Sequence, residues 1–132
     1  MTKWTEFTFT LKPSNIAGLG VFAAHDIPKG MRLFSGITSR RRMITKNIPQ
    51  EFIKYCIFIN DEECFCPERF DRMEIGWYIN HSDKPNIAKA EENYGVALVN
   101  IKAGEEILID YNSLDEPEHL KEAYYKTSNR KD

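Results

Sequence analysis

The residues best suited to chemistry in this chain are Asn80, His81 and Ser82, which stand together ahead of Pro85 and Asn86. Short polar side chains and a proline that restricts φ predict an irregular loop whose backbone groups can meet a ligand. Asn86 is expected to bond nearby backbone within that turn. A Ser-His pair could also indicate nucleophilic catalysis, but no Gly-x-Ser-x-Gly turn surrounds Ser82 and no acid completes a triad. The pattern therefore favours ligand binding over hydrolysis.

A glycine pair, Gly18 and Gly20, flanks Leu19 near the start of the chain. Glycine permits positive φ and lets a ligand approach the backbone without meeting a Cβ atom. A dinucleotide-binding fingerprint is disfavoured, because no third glycine follows at the required spacing and the next residues resemble a strand. An isolated pair of this kind is most often an ordinary turn, so these residues alone leave a turn and a ligand-binding loop open.

A third candidate is Tyr111, which follows a short apolar run and Asp110. Taken alone it is most simply a core aromatic residue whose hydroxyl bonds to a neighbour. Taken alone, the residue type therefore favours core packing.

The elements that position these residues are predicted to be mainly strands. Phe7, Phe9 and Leu11 alternate with threonines, which is the pattern of a half-buried strand. Short apolar runs bounded by Gly, Pro, Asn or Asp follow at 21–24, 31–34, 56–59, 96–99 and 107–109. Many short strands separated by turns indicate a mainly β fold with few short helices.

Helical signals are few. Pro49 stands where a first helical turn would begin, and Phe70, Met73 and Trp77 recur at helical spacing. A final helix is predicted to begin near Pro117 and to be followed by a frayed polar tail. We see no repeat and no linker, so residues 1–132 are predicted to form one domain, with a core at about 12–111 and a C-terminal helix and tail at 112–132.

Composition limits the function classes. Eighteen Lys and Arg against twenty Asp and Glu give a net charge of -2, so no overall positive field would attract nucleic acid. The run Arg40–Arg42 is most simply a solvated loop, although a nucleic-acid-binding β domain that uses it remains an alternative. Direct nucleic acid binding is therefore not expected.

The cysteines and the N-terminus indicate the compartment. Cys56, Cys64 and Cys66 are odd in number, and the spacing of the last two is poor for a disulfide, which favours reduced thiols. No further ligand pair at finger-like spacing completes a zinc site, so no metal is predicted. The first residues contain no apolar h-region and the sequence contains no apolar run of membrane-spanning length, so no signal peptide and no membrane span are expected. We expect an intracellular protein, cytoplasmic or nuclear and chromatin-associated in a host, with no membrane contact.

Together the three segments resemble the SET-domain protein lysine methyltransferases, in a minimal form of bacterial or viral type, from about Lys12 to Tyr111. The resemblance implies a β-fold of several small sheets, with a C-terminal segment threaded under a loop as a pseudoknot. It implies S-adenosyl-L-methionine as cofactor, S-adenosyl-L-homocysteine as product, and no metal. The implied partner is a protein or peptide substrate with an exposed lysine, such as a histone. Some minimal members self-associate, so a homodimer is also an expectation by analogy.

The resemblance also assigns residue roles. Tyr111 is the implied catalytic residue. The implied cofactor-binding residues are Gly18, Leu19, Gly20, Asn80 and His81, with His81 acting largely through its main chain. The implied walls of the lysine channel are Phe34, Tyr78, Ile109 and one of Tyr124 and Tyr125. Glu105, Glu106 and Asp110 are expected to be structural.

The chain departs from the family at two places. Many members have Tyr-x-Gly-Glu where this sequence reads Phe34-Ser35-Gly36-Ile37, so a hydroxyl and an acid are missing. A catalytically inactive SET-fold binding module is therefore the alternative function. Ile109 stands where the family often has an aromatic residue whose hydroxyl limits the number of methyl groups added. Because isoleucine offers no hydrogen bond, di- or trimethylation is predicted.

Overall fold

Short strands dominate the protein. The structure, a computed structural model, describes residues 8–33, 40–91 and 94–125. Within these ranges the strands are β1 (Phe9–Pro13), β2 (Leu19–Ala23), β3 (Arg32–Leu33), β4 (Arg40–Ile44), β5 (Ile57–Phe58), β6 (Glu63–Pro67), β7 (Asn80–His81), β8 (Ile87–Glu91), β9 (Tyr94–Ala97) and β10 (Leu108–Ile109). The helical segments are 3-10 helices at Thr45–Asn47, Gln50–Tyr55, Ile75–Tyr78, Tyr111–Leu114 and Glu118–Leu120. The prediction of a mainly β fold with few short helices is confirmed.

The described strands form small separate sheets. Strands β1 and β2 make an antiparallel pair, β9 lies between β3 and β8, and β6 lies between β4 and β5. The remaining pair, β7 and β10, is parallel, with Leu108 opposite Asn80 and Ile109 opposite His81. This last pair brings two of the chemically interesting segments into contact.

The apolar runs in the sequence predicted strands well, but they could not predict the charged strand β4. Each of the five runs overlaps a strand, whereas β4 was expected to be a solvated arginine loop. In β4 the Arg40 guanidinium lies 4.0 Å from the centre of the Phe65 ring, and Arg42 forms an ion pair with Glu63 at 2.8 Å. Arg41 donates to the Pro67 carbonyl at 3.0 Å. The arginines therefore belong to a strand that pairs with β6 and not to a loop.

The predicted burial of the first strand holds at Phe9, which packs against the core, but is wrong at Leu11. Thr8 is 1% exposed, whereas Leu11 is 40% exposed. Phe7 lies outside the described residues. The reason is that β1 pairs with β2 as a two-stranded hairpin whose far end extends beyond the core. Alternation identified the strand but not the residues that reach the interior.

One of the three helical expectations is wrong. Helical segments do begin directly after Pro49 and directly after Pro117, both as 3-10 helices. The spacing of Phe70, Met73 and Trp77 corresponds to no regular helix, because only Ile75–Tyr78 is helical in that stretch. The final helix is one short 3-10 turn, Glu118–Leu120, and Tyr125 beyond it is buried. The spacing of apolar residues in the sequence cannot reveal that tertiary contacts bury Tyr125.

The main core is formed by residues of strands β2, β3, β8 and β9 and of the segments that connect strands. It contains Val21, Ala23, Ile27, Leu33, Ile87, Ala97, Ile101 and Ile107. A second cluster contains Ile48 with the three cysteines, whose thiols are free and buried. Burial, with the neighbouring thiols Cys64 and Cys66, raises the pKa of Cys56 far above its ordinary value. No described helix is long and apolar enough to cross a membrane.

Asn86 connects the C-terminal strand to the rest of the molecule. Its side-chain nitrogen donates to the Glu106 carbonyl at 2.8 Å, and its side-chain oxygen accepts from the Leu108 N–H at 2.8 Å. Its backbone N–H donates to the Leu108 carbonyl at 3.1 Å. The side-chain partners are 20 and 22 residues away, not in the local turn as the sequence suggested. Asn86 therefore fixes the position of β10.

Replacing Asn86 with alanine tests this connection. We expect Asn86→Ala to lower the free energy of unfolding by about 2–4 kcal/mol, since it removes two hydrogen bonds and leaves half-buried backbone groups without partners. Urea unfolding measures the change. Asn100→Ala is the matched control, because the Asn100 side chain accepts one exposed bond from the Lys29 N–H, and it should cost about 1 kcal/mol or less. Equal losses in the two variants would contradict the role given to Asn86.

Candidate functional site

The two glycines of the upstream loop serve different physical purposes. Gly18 has φ of 45°, in the left-handed region, and a Cβ atom added there would meet no atom within 4 Å. A Cβ atom added to Gly20 would lie 2.3 Å from Oε2 of Glu106. Gly18 therefore leaves one face of the loop open to a ligand. The missing side chain of Gly20 instead leaves space that the Glu106 carboxylate occupies.

Asn80 joins this glycine loop to the C-terminal part of the chain. Its side-chain nitrogen lies 3.1 Å from the Ala17 carbonyl, 3.3 Å from the Leu19 carbonyl and 2.8 Å from Oε2 of Glu106. An amide nitrogen carries two hydrogens, so three acceptors share two donors. This concentration of acceptor oxygens fits a ligand group that is rich in donors, such as an ammonium.

The His81 side chain contacts the backbone of Tyr111. Its Nδ1 accepts a hydrogen bond from the Tyr111 N–H at 3.0 Å. A ring nitrogen that accepts carries no proton, so a neutral His81 holds its proton on Nε2. The sequence interpretation gave His81 a main-chain role. The structure adds that its imidazole, 10% exposed, fixes the position of Tyr111.

The Tyr111 hydroxyl is oriented by the backbone beside Asn80. It donates to the Ile79 carbonyl at 2.6 Å. Burial, with smaller effects from Tyr124, Glu116 and Glu106, raises the pKa of this hydroxyl far above its ordinary value. The group is therefore a neutral phenol near pH 7, able to orient a reactant through its oxygen but unsuited to act as a phenolate base.

A cavity of about 400 Å³ opens next to Tyr111. Its walls come from the 3-10 helix Gln50–Tyr55, the 3-10 helix Ile75–Tyr78 and the C-terminal residues. Aromatic rings form much of the lining: Tyr55, Phe58, Trp77, Tyr111, Tyr124 and Tyr125. The lining also includes Lys54, Glu116 and Glu122. An aromatic cavity with carboxylates in its wall suits an alkyl chain with a cationic or polar head.

The predicted channel residues divide into three groups. Ile109, Tyr124 and Tyr125 all line the cavity with Tyr111. Tyr78 is not part of that lining; its hydroxyl donates to the Met73 sulfur at 3.8 Å. Phe34 lies outside the described residues. The structure thus brings together the catalytic candidate and the C-terminal wall candidates.

Two carboxylates at the site had no assigned chemical role from the sequence. Glu106 contacts the glycine loop, as described above. Glu116 is 8% exposed; its Oε2 accepts from the Phe58 N–H at 2.8 Å, and its Oε1 accepts from the Tyr125 hydroxyl. No sequence signal identifies this link, because Phe58 is 58 residues away. Glu116 holds the C-terminal wall of the cavity against β5.

The side chains of Asp110 and Ser82 each accept a hydrogen bond from the backbone N–H two residues further along the chain. The Asp110 carboxylate accepts from the Asn112 N–H at 2.9 Å and caps the 3-10 helix Tyr111–Leu114. The Ser82 hydroxyl accepts from the Lys84 N–H at 3.0 Å, in the turn that the sequence predicted. These residues shape the backbone around the site.

Comparisons with known proteins agree on one family. The SET domain family matches residues 18–112 of the chain. A candidate histone methyltransferase of Plasmodium falciparum is 24% identical with a TM-score of 0.57, covering 80% of this chain and 93% of that one. The methyltransferase domain of human PR domain-containing protein 2 is 22% identical with a TM-score of 0.58, covering 86% of this chain and 82% of that one.

A third similar structure is ctPRC2 in an autoinhibited conformation bound to S-adenosylmethionine. It is 21% identical with a TM-score of 0.56, and the match covers 79% of this chain but 15% of that one. No curated protein sequence matches the chain. At these identities the structural likeness establishes the fold.

The buried tyrosines make stability sensitive to alkali. Burial raises the folded-state pKa of Tyr111 and Tyr125 above the value near 10 that an unfolded chain has. The stabilisation is thus fully present below pH 10 and is lost as pH rises further, because the unfolded state releases its protons first. We expect the free energy of unfolding to fall above pH 10 by at most about 1.4 kcal/mol per pH unit for each tyrosine.

Urea unfolding at pH 9, 10 and 11 checks this expectation. Lysine deprotonation also begins in this range, so the comparison is between wild type and Tyr111→Phe. The variant should lose stability less steeply with pH. Identical slopes would contradict the raised pKa of Tyr111.

Proposed function

Because this chain belongs to the SET-domain family, we propose that it is an S-adenosylmethionine-dependent protein lysine N-methyltransferase. Its substrate would be a lysine side chain of a protein such as a histone. One observation carries the proposal. The Tyr111 hydroxyl bonds to the Ile79 carbonyl, directly beside Asn80, whose side chain contacts the glycine loop. A cofactor on that loop and a lysine in the cavity would therefore meet at one short backbone segment.

Methyl transfer to an amine is an in-line displacement, so the protein has to align two reactants and exclude water. The amine must also be neutral. A free lysine with pKa near 10.4 needs roughly 4–5 kcal/mol to lose its proton at pH 7. Burial among the aromatic rings of the cavity lowers that cost, because it disfavours the charged form of lysine, whereas the Glu116 and Glu122 carboxylates in the lining act in the opposite direction. No metal is required by this chemistry.

The chain's residues fit the amino-acid end of the cofactor. Gly18 leaves an open face on the loop, and the Ala17 and Leu19 carbonyls offer acceptors near Asn80. We assign the backbone of residues 18–20, with Asn80 and His81, to holding the cofactor. S-adenosylmethionine, when bound, supplies an electrophilic methyl group. The acceptor oxygens suit its α-ammonium group.

Tyr111 is the proposed catalytic residue. Its hydroxyl hydrogen is used by the Ile79 carbonyl, so its oxygen is directed as an acceptor toward the reactants. Such an oxygen can accept from an amine N–H and make weak C–H contacts to a methyl group. Its high pKa keeps the hydroxyl neutral, because burial disfavours the phenolate. The role is alignment rather than proton abstraction.

The first test combines calorimetry with methyl transfer. S-adenosylmethionine and S-adenosylhomocysteine are titrated into wild type and Tyr111→Phe, and radiolabelled methyl transfer to histones and cell lysate is measured. We expect both proteins to bind both ligands, with affinities within about threefold. Transfer by Tyr111→Phe should fall by about 100-fold or more, the usual scale for losing an orienting catalytic group.

The outcomes separate the proposal from its alternative. Binding without transfer by wild type would favour the inactive SET-fold binding module, to which the replacement of the usual tyrosine by Phe34 also points. Absence of binding by wild type would overturn the assignment of the cofactor residues. Full transfer by Tyr111→Phe would remove Tyr111 from the mechanism.

The number of methyl groups added is a further expectation. Ile109 lines the cavity without a hydroxyl, and the Tyr125 hydroxyl donates to Glu116. Ile109 and the Tyr125 hydroxyl hydrogen therefore offer a methylated amine no hydrogen bond, so the amine can turn for another transfer. We predict di- or trimethylated product by mass spectrometry with excess enzyme and cofactor.

Two substitutions at one position separate hydrogen bonding from volume in this prediction. Ile109→Tyr should shift the product toward monomethyl-lysine, because the hydroxyl can hold the amine. Ile109→Phe adds a ring without a hydroxyl and serves as the control. Finding only monomethyl product from wild type would contradict the expectation.

A further inference from the structure

Glu106 makes a dense set of contacts with the glycine loop. Ser14 Oγ lies 2.8 Å from Oε1 and 2.9 Å from Oε2 of this carboxylate, and the Asn80 side-chain nitrogen lies 2.8 Å from Oε2. The backbone of Glu106 is also fixed, since it forms an antiparallel bridge with Phe22 of β2. One carboxylate therefore contacts both ends of the proposed cofactor-binding unit.

Ser14 extends this contact into the loop. Its hydroxyl oxygen accepts from the Ile16 N–H at 2.9 Å, and its backbone N–H donates to the Gly18 carbonyl at 2.8 Å. The loop is thus closed on Ser14, and Ser14 is held by Glu106. The shape of the Gly18 turn depends on a carboxylate 92 residues away from Ser14 in the chain.

Gly20 provides the space for this arrangement. A Cβ atom there would lie 2.3 Å from Oε2 and 2.9 Å from Cδ of Glu106, and 3.0 Å from Cβ of Ser14. Contacts this short cannot be accommodated without displacing the carboxylate or the loop. The second glycine is therefore required by Glu106.

Glu106 contributes the shortest of the three contacts that orient the Asn80 amide, the other two being with the Ala17 and Leu19 carbonyls. A carboxylate only accepts hydrogen bonds, so it requires the amide nitrogen, and not the amide oxygen, to face it. A hydrogen bond to a charged acceptor is stronger than one to a neutral carbonyl. With the nitrogen facing Glu106, the amide oxygen of Asn80 is directed elsewhere, where it can accept from a ligand.

We propose that Glu106 is a positioning residue for the cofactor. Its carboxylate holds Ser14 and Asn80 and so keeps the glycine loop in the geometry that binds the amino-acid end of S-adenosylmethionine. This inference rests on the proposed methyltransferase function. Glu106 acts through its neighbours and not on the reacting atoms, so its loss should change cofactor affinity far more than turnover.

Substitution of Glu106 tests the inference with a neighbouring glutamate as control. We expect Glu106→Ala to weaken binding of S-adenosylhomocysteine by about tenfold or more in calorimetry and to raise KM for S-adenosylmethionine similarly. At saturating cofactor, kcat and KM for the peptide should stay within about threefold. Glu106→Gln, which keeps an acceptor oxygen, should restore part of the affinity. Glu105→Ala should bind as wild type, because the Glu105 side chain bonds to the Lys102 N–H in its own turn.

A second measurement does not need a ligand. Hydrogen exchange of the cofactor-free protein should show faster exchange of the amides of residues 14–20 in Glu106→Ala, while the core residues of β2 and β9 keep their protection. Gly20→Ala should disturb the loop more in wild type than in the Glu106→Ala background, where the contact with the carboxylate is gone and the 3.0 Å contact with Cβ of Ser14 remains. If Glu106→Ala does not fold, Ser14→Ala replaces it, and we expect the same loss of cofactor affinity and the same faster exchange at smaller magnitude.

The outcomes are distinguishable from failure of the proposed function. Wild-type binding with unchanged affinity in Glu106→Ala would overturn this inference and leave the proposed function intact. Absence of wild-type binding would overturn the proposed function, and this inference with it. Equal losses in cofactor affinity, peptide affinity and kcat would show a general loss of structure and would also overturn positioning.

Discussion

The parallel pairing of β10 with β7 is the contact on which the rest of the site depends. It places Leu108 beside Asn80 and Ile109 beside His81, although these residues are far apart in the chain. Ile107, fully buried in the main core, fixes the start of β10. Once this pair has formed, the glycine loop, the polar segment and the terminal tyrosine lie around one backbone segment.

The hydrogen bonds that satisfy buried polar groups also orient the site. The Tyr111 N–H has His81 as its partner, and the Tyr111 hydroxyl has the Ile79 carbonyl. Leaving either group without a partner in a half-buried position would cost about 1–3 kcal/mol, so folding itself enforces the geometry. Glu116 acts in the same way on the cavity wall, with partners in β5 and at Tyr125. The same hydrogen bonds therefore stabilise the fold and fix the geometry of the site.

Local patterns predicted much of the fold and failed where burial depends on distant partners. Apolar runs bounded by turn residues identified β2, β3, β5, β9 and β10, because a short strand needs little beyond β-forming residues and a turn at each end. The charged strand β4 was missed because its arginines gain their contacts from Phe65 and Glu63 on β6. The final helix begins after Pro117 as expected but is a short 3-10 turn, and the hydrogen bond from Tyr125 to Glu116 beyond it had no signal in the sequence.

The sequence by itself determined the types of the chemical residues: a glycine pair, an Asn-His segment and a terminal tyrosine, in an order that indicated the SET-domain family. Their residue types are local properties and can be identified without a structure. Only the tertiary structure decided which neighbours complete them. Gly20 makes room for Glu106, the His81 ring bonds to the Tyr111 backbone, and Tyr78 packs against the lining residue Tyr55 instead of lining the cavity itself. Such partners are set by strand pairing between distant segments, which no short-range pattern encodes.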